Sequence, residues 1–170
     1  MFKTFDVITV CAVAGFGTAS AAIDLRVRRV PNPLTIGIAA VGLALAAFHA
    51  TGVGVLSALA GFALGLALML PGHFIGATGA GDVKLMAALG TLLGPGRTGK
   101  AFLYTAIAGG AIALVVAVRR RRMRLTMVRT AALLQPSGTA AADIEHPRED
   151  NRFAYAPAIA VGTLAAAMGF

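Results

Sequence analysis

The stretch GATGAGDVKLM, residues 76–86, places a carboxylate on a glycine-rich bend in the middle of a very apolar chain. No Asp, Glu, Lys or Arg occurs between Arg29 and Asp82, and Lys84 follows two residues later. Glycine clusters interrupt regular structure, whereas the sequence on both sides of this bend is apolar. The stretch therefore predicts a loop between two apolar helices, with Asp82 where the second helix begins.

The composition indicates a membrane protein. Of the 170 residues, 58% are hydrophobic and 13% are charged, whereas a typical soluble domain has about 25% charged residues. The net charge of +8 would suit a nucleic-acid partner, but the basic residues cluster beside apolar runs, as charges that set membrane topology do. We therefore expect no nucleic-acid binding. The only cysteine, Cys11, can form neither an intramolecular disulfide nor a cysteine-based zinc site.

Apolar segments separated by helix breakers predict an all-α, polytopic membrane protein with six transmembrane helices in a single domain, residues 1–170. The six segments are 7–23, two within 34–72 on either side of 49–54, 82–93, 101–118 and 153–170. We expect residues 70–81 to form a loop because they are rich in glycine and contain a proline. The sequence GPG at 94–96 is expected to end the short helix that starts at Asp82.

The distribution of basic residues predicts the topology. The first, third and fifth loops contain most of them: Arg26, Arg28, Arg29, Lys84 and six arginines from Arg119 to Arg129. By the positive-inside rule, these loops face the cytoplasm and both termini lie outside. Residues 119–152 then form a cytoplasmic basic loop within the domain, and anionic lipid is the simplest partner for its arginines.

Asp24 and Asp82 are acidic residues that directly abut apolar segments. Asp24 ends the first helix on the cytoplasmic side, and the chain crosses the membrane twice before Asp82, so both carboxylates are expected at one face. Ionisable groups at membrane depth are rare unless they have a function. Two neighbouring carboxylates share one proton, and such a pair can deprotonate a water and protonate a leaving amine. The glycines before Asp82 permit positive φ angles and leave room for a substrate backbone.

Each aspartate also has an ordinary structural interpretation. Asp24 could be a helix-end residue paired with a nearby arginine, and Asp82 could be the N-cap of the helix that it starts. The placement of both residues at one membrane face favours a catalytic pair. A phosphate-binding loop is not predicted, because no strand precedes the glycines and Lys84 is not in a G-x-x-x-x-G-K-S/T frame.

Two motifs resemble those of the type IV prepilin peptidases, which are GxGD-type aspartic proteases. GAGDVKL at 79–85 resembles the G-x-G-D-x-K-L signature of that family. DLRVRRVPNPLT at 24–35 resembles its first motif, an aspartate followed by a hydrophobic-Pro-Asn/Asp sequence and then Leu-Thr. FAYAPAIAVGTL at 153–164 is a weaker match to the C-terminal motif of the family. The resemblance covers nearly the whole chain.

The resemblance implies a role for each matching residue. Asp24 and Asp82 correspond to the catalytic aspartates of the family. Other matching positions imply structural support or substrate positioning: Gly79, Gly81, Lys84, Pro31 and Asn32. The implied activity is an aspartic endopeptidase of the bacterial inner membrane that removes the short leader of prepilins or pseudopilins at the cytoplasmic side. The hydrophobic helix of the substrate is expected to lie in the bilayer beside the enzyme, and neither a metal nor an organic cofactor is expected.

The chain resembles the short, peptidase-only branch of the family that is associated with tight-adherence (Flp-type) pili. The paired cysteines of the longer members, which methylate the new N-terminus, are absent, so N-methylation is not expected. Two other classes of function also fit a pair of membrane carboxylates. A small proton-coupled transporter would show solute flux without proteolysis, and a non-enzymatic scaffold for pilus or secretion assembly would tolerate Asp24→Asn and Asp82→Asn.

Overall fold

The computed structural model describes residues 4–76, 78–119 and 155–170, and this part of the chain is helical, with no strand. The helices are α1 (Thr4–Val27), α2 (Asn32–Ala47), α3 (Val55–Phe74), α4 (Ala80–Arg119) and α5 (Ala156–Ala167). The all-α prediction is therefore confirmed for the described residues. The predicted basic loop at 119–152 lies outside them, apart from Arg119 at the end of α4.

Three of the described helices are long and apolar enough to cross a membrane, over Val7–Val27, Val55–Phe74 and Ala80–Val115. The other two, α2 and α5, are apolar but have only 16 and 12 residues. A transmembrane helix usually needs about 20 apolar residues. The helices therefore agree with a membrane protein, whereas six crossings and the location of the termini stay predictions.

The pair of prolines after α1 determines where α2 begins. Pro31 is extended, with φ −66° and ψ 141°, and immediately precedes the first residue of α2. Its carbonyl accepts hydrogen bonds from the backbone N–H groups of Leu34 and Thr35, at 3.2 and 3.3 Å. Proline has a fixed φ and disfavours helix in the residue before it. Residues 28–31 therefore form a sharp connection that returns the chain to the bundle at Asn32.

The loop predicted at 70–81 is shorter than expected, because α3 continues through Pro71 to Phe74. The chain leaves the helix where Gly76 adopts a left-handed φ of 74°, and the N–H of Gly76 donates to the carbonyl of His73 at 3.0 Å. Pro71 removes one N–H donor from the helix, but tertiary packing supplies most of the stability of a helix. A glycine in the left-handed conformation is a usual helix end, so the glycine rather than the proline ends α3.

Helix α4 is the centre of the bundle, because it packs against α1, α2, α3 and α5, and its first half is the most buried part. Its largest side chains are fully buried: Leu85, Met86, Leu89 and Leu92. A helix that is apolar on all sides is expected to be buried in this way. At Gly94 the backbone leaves helical geometry, with φ 70° and ψ 172°, directly before Pro95. The predicted break at GPG is confirmed, and it divides α4 into two helical stretches.

Glycines bring α3 and α4 into close contact. A methyl group on Gly65 of α3 would lie 2.8 Å from the carbonyl oxygen of Met86 in α4, and Gly61 lies against the backbone of Gly90. Small residues at membrane helix interfaces allow backbones to approach in this way. This contact fixes the first half of α4 against α3, and with it the position of Asp82 at the start of α4.

Candidate active site

Asp24 is a buried carboxylate in the last turn of α1, with 5% of its surface exposed. Its Oδ2 accepts a hydrogen bond at 3.2 Å from the backbone N–H of Ala156, the first residue of α5. The first N–H groups of a helix have no partner within the helix, and the partial positive charge there stabilises an anion. The start of α5 therefore supplies a donor and a favourable field to Asp24.

Asp82 is the third residue of α4, and its carboxylate turns back toward the residue before the helix. Its Oδ2 accepts a hydrogen bond at 3.2 Å from the backbone N–H of Gly79. The carbonyl of Gly79 in turn accepts from the N–H groups of Asp82 and Val83, at 3.1 and 3.3 Å. Gly79 is therefore the N-cap, and Asp82 occupies the position from which an acidic side chain reaches back to the cap. The structural interpretation of Asp82 as the N-cap is wrong by three residues, because the helix begins at Ala80.

Gly79 and Gly81 are explained by close contacts rather than by unusual backbone angles. A Cβ on Gly79 would lie 3.1 Å from Oδ2 of Asp82, and one on Gly81 would contact the side chain of Val30 at 3.4 Å. Within the described residues, a positive φ occurs at Gly76 of the same loop but not at these two glycines. The expectation of positive φ therefore applies to Gly76, and Gly79 leaves room for the carboxylate.

Asp24 and Asp82 lie at the same end of the bundle, since a Cβ on Gly81, next to Asp82, would contact Val30 in the connection after α1 at 3.4 Å. One comes from the end of α1 and the other from the start of α4. When two carboxylates interact, the state in which one of them is protonated is favoured. That state provides both a base and an acid, which hydrolysis of a peptide bond requires.

The two predicted motifs are joined by a direct hydrogen bond between their side chains. Nζ of Lys84 donates to Oδ1 of Asn32 at 3.0 Å, and both residues are exposed. This bond connects the start of α4 to the start of α2, where Pro31 determines the backbone. A role for Pro31, Asn32 and Lys84 in supporting the site or in positioning the substrate stays a prediction.

Tyr155 belongs to this end of the bundle, although it was not predicted as a site residue. It immediately precedes α5 and is the neighbour of Ala156, whose N–H donates to Asp24. The sequence signal for this region is the weaker C-terminal motif at 153–164, which includes both Tyr155 and Ala156. That motif did not indicate which atoms would contact the aspartates, because a backbone N–H donor leaves no mark on the side-chain sequence.

The chemical groups described at this end are carboxylates, backbone N–H donors, an amide, an ammonium group and a phenol. No group of three or more His, Cys, Asp or Glu side chains that could hold a metal ion occurs among the described residues. The arrangement can bind and transfer protons between two acidic groups, each with one oxygen fixed by a backbone N–H.

The fold and this site define a helical membrane protein with two carboxylates at one end of its bundle. Its sequence matches the type IV leader peptidase family over residues 11–114. This range contains both aspartates and all the predicted supporting residues. The chain belongs to the type IV leader peptidase family, as the motifs predicted.

The curated relatives include two proteins named "Prepilin leader peptidase/N-methyltransferase", from Burkholderia pseudomallei strains 1026b and K96243. Each is 36% identical to this chain over 126 residues, which are 66% of this chain and 40% of the relative. The chain therefore covers less than half the length of these relatives. No solved structure matches the chain.

Proposed function

We propose that this protein is a membrane aspartic endopeptidase that removes the short leader peptide of type IV, Flp-like prepilins at the cytoplasmic face of the bacterial inner membrane. The proposal is supported by the position of Asp24 at the end of α1 and of Asp82 at the start of α4, at the same end of the bundle. Membership of the leader peptidase family supports the substrate class. The relatives from Burkholderia pseudomallei are named for the same leader cleavage.

In the proposed reaction, the ionised member of the pair accepts a proton from a water molecule. The water oxygen attacks the carbonyl carbon of the scissile peptide bond, and a tetrahedral intermediate forms. The protonated aspartate then donates its proton to the leaving nitrogen, and the C–N bond breaks. The products are a leader with a new carboxylate and a pilin with a new amino terminus. A coupled pair titrates as a unit, so the roles of base and acid are assigned to the pair rather than to either residue.

The backbone donors support this reaction by orientation. The N–H groups of Ala156 and Gly79 each bind one oxygen of a carboxylate, at 3.2 Å in both cases. The second oxygen of each carboxylate then has a restricted set of positions for proton transfer. Fixed orientation of acid and base groups lowers the entropic cost of reaching the transition state.

The depth of the site agrees with a substrate whose own helix lies in the bilayer. Residues 80–93 form a helical stretch of about 21 Å at 1.5 Å per residue, shorter than the hydrocarbon core of about 30 Å. Asp82 is therefore expected below the membrane surface, on the side that the basic residues assign to the cytoplasm. A leader that enters from the cytoplasm would meet the pair just before the hydrophobic helix of the pilin.

Leader removal in cells tests the proposal. The chain is co-expressed with a candidate Flp-type prepilin, and the shift of the pilin on a gel is followed for the unmodified protein and for Asp24→Asn, Asp82→Asn and Asp143→Asn. We expect processing by the unmodified protein and by Asp143→Asn, whose carboxylate belongs to the polar stretch of sequence before 153. Loss of processing is expected for the other two variants, and retained processing in either would refute the mechanism.

The same experiment separates the peptidase from the two other classes of function, because a proton-coupled transporter and a non-enzymatic scaffold would both leave the prepilin uncleaved. A scaffold would in addition support assembly in both Asn variants, which a separate assembly assay measures. Family membership favours the peptidase over both.

A further inference from the structure

We propose that Tyr155 is a positioning residue for the aspartate pair: its ring rests on Gly109 of α4 and thereby holds the first N–H of α5 on Asp24. This inference rests on the proposed peptidase function. It concerns a residue that does not itself donate to or accept from the carboxylate of Asp24.

The ring of Tyr155 occupies the space that a side chain at position 109 would take. A Cβ on Gly109 would lie 2.5 Å from Cε2 of Tyr155 and 2.7 Å from Cζ and from the hydroxyl oxygen. Such distances are too short for real carbon contacts, so a side chain at position 109 would force the ring away from α4. One turn earlier, the carbonyl oxygen of Thr105 is 3.5 Å from the hydroxyl, a long and weak hydrogen bond. The contact therefore depends mainly on the ring.

The position of the ring is transmitted to Asp24 through the backbone. The amide nitrogen of Ala156 is separated from Cα of Tyr155 by only two covalent bonds, so a displacement of Tyr155 moves this nitrogen. Ala156 is fully buried, and its N–H is the donor to Oδ2 of Asp24 at 3.2 Å. A shift of the start of α5 would therefore lengthen this hydrogen bond.

Asp82 and Gly109 belong to the two different stretches of α4, which are separated by the break at Gly94. The contact of the Tyr155 ring with Gly109 therefore holds the start of α5, which donates to Asp24, against the second stretch of the helix whose first turn contains Asp82. A second contact, between Gly162 of α5 and Thr105, supports the same packing.

Rates of leader cleavage by purified protein test the inference with four variants. Gly109→Ala is compared with Gly110→Ala, because a Cβ on Gly110 has nothing within 4 Å. Tyr155→Phe keeps the ring, and Tyr155→Ala removes it. We expect kcat to fall by about 10²-fold in Gly109→Ala and Tyr155→Ala, the order of loss caused by a displaced catalytic group. Gly110→Ala and Tyr155→Phe are expected to stay within about threefold of the unmodified protein, a residual change consistent with a weak hydroxyl contact.

Thermal unfolding in detergent and the double variant separate positioning from loss of fold. All four single variants are expected to be folded at the assay temperature. The double variant, Gly109→Ala with Tyr155→Ala, should be no slower than Tyr155→Ala alone, because without the ring the added Cβ at position 109 has no ring to overlap. Full activity in Gly109→Ala, or equal losses in Tyr155→Phe and Tyr155→Ala, would overturn the inference and leave the proposed function intact. An unmodified protein that does not cleave would overturn both.

Discussion

The carboxylate of Asp82 combines a structural contact with the proposed chemistry. Its Oδ2 accepts the N–H of Gly79 and so stabilises the start of α4, and its proton transfer is required for the proposed cleavage. The two contributions use different properties of the side chain, an acceptor oxygen and an ionisable group. Substitutions that remove one or both can therefore distinguish them.

We expect Asp82→Asn to remove cleavage without a large loss of stability, because the amide oxygen of asparagine can still accept from Gly79. Asp82→Ala should also be inactive, and its free energy of unfolding should fall by about 0.5–2 kcal/mol, as for the loss of a helix cap. Thermal or chemical unfolding in detergent, run beside the cleavage assay, measures both effects. Cleavage by Asp82→Asn, or equal stability of Asp82→Ala and the unmodified protein, would contradict this interpretation.

The hydrogen bond between the side chains of Lys84 and Asn32 can be tested by substitution of Asn32. Asn32→Asp keeps an acceptor oxygen for Nζ of Lys84 and adds an opposite charge, so we expect cleavage to be retained. Asn32→Leu removes the acceptor and should lower both stability, by about 1 kcal/mol or less for an exposed pair, and the rate of cleavage. Equal rates for the two variants would show that this hydrogen bond does not support the site.

The sequence identified both aspartates as candidate site residues, but it did not predict which groups donate hydrogen bonds to them. A carboxylate beside an apolar segment stands out because burial of a charge is costly. The donor to Asp24 is a backbone N–H that lies 132 residues away, and every non-proline residue has such a group. Only the packing of α5 against α1 selects Ala156 for this role.

At the scale of helices, the close approach of α3 and α4 determines where α4 lies. Gly65 meets the backbone of Met86 and Ala87, at 2.8–3.1 Å from an added Cβ. Backbone atoms cannot rotate away as a side chain can, so a larger residue at 65 has to separate the two helices.

We expect Gly65→Ala to lower the free energy of unfolding by about 1–3 kcal/mol, as overpacking of a core does. Gly37→Ala is the matched control, since it also lies within a helix but has nothing within 4 Å of an added Cβ. That control should be neutral or more stable by about 0.5–1 kcal/mol, because alanine loses less backbone entropy than glycine on folding. Unfolding in detergent measures the difference, and equal stabilities would contradict the close packing.

The break at Gly94 was predicted correctly, because the angles that glycine and proline adopt interrupt a helix there. The start of α2 was predicted too late, since the helix begins at Asn32, directly after the extended Pro31, and not at residue 34. The end of α3 was predicted too early, because packing outweighs the loss of one N–H at Pro71. The sequence alone does not reveal how strongly a helix is held by its neighbours.

At the scale of the whole molecule, the helices converge so that four chain segments meet at one end of the bundle. The hydrogen bond of Asp24 joins the end of α1 to the start of α5. The hydrogen bond of Lys84 joins the start of α4 to the start of α2. The predicted order of the apolar segments was enough to place Asp24 and Asp82 at one end of the bundle, whereas their membrane face stays a prediction. The contribution of α5 was not predictable, because no pattern in an apolar segment identifies its neighbours.

The predicted orientation in the membrane can be measured with single cysteines in a Cys11→Ser background. Phe48 begins the α2–α3 connection and Ile75 begins the α3–α4 connection, so the two positions mark opposite ends of α3. Both side chains are exposed. A membrane-impermeant maleimide should label Phe48→Cys in intact cells and Ile75→Cys only in inverted vesicles, because basic residues favour the cytoplasm. The reverse labelling would place the aspartates at the outer face.

A shared catalytic pair is tested most directly by the rate of leader cleavage. The rate is measured for purified, reconstituted protein with Asp24, Asp82 or both replaced by asparagine. The pair acts as one unit, so each single variant should lose about 10²–10⁴-fold in rate, and Asp24→Asn combined with Asp82→Asn should be no slower than the slower single variant. Mass spectrometry of the released leader measures the rates, and Asp143→Asn should match the unmodified protein. A single variant with an unchanged rate, or two losses that multiply in the double variant, would contradict a shared catalytic pair.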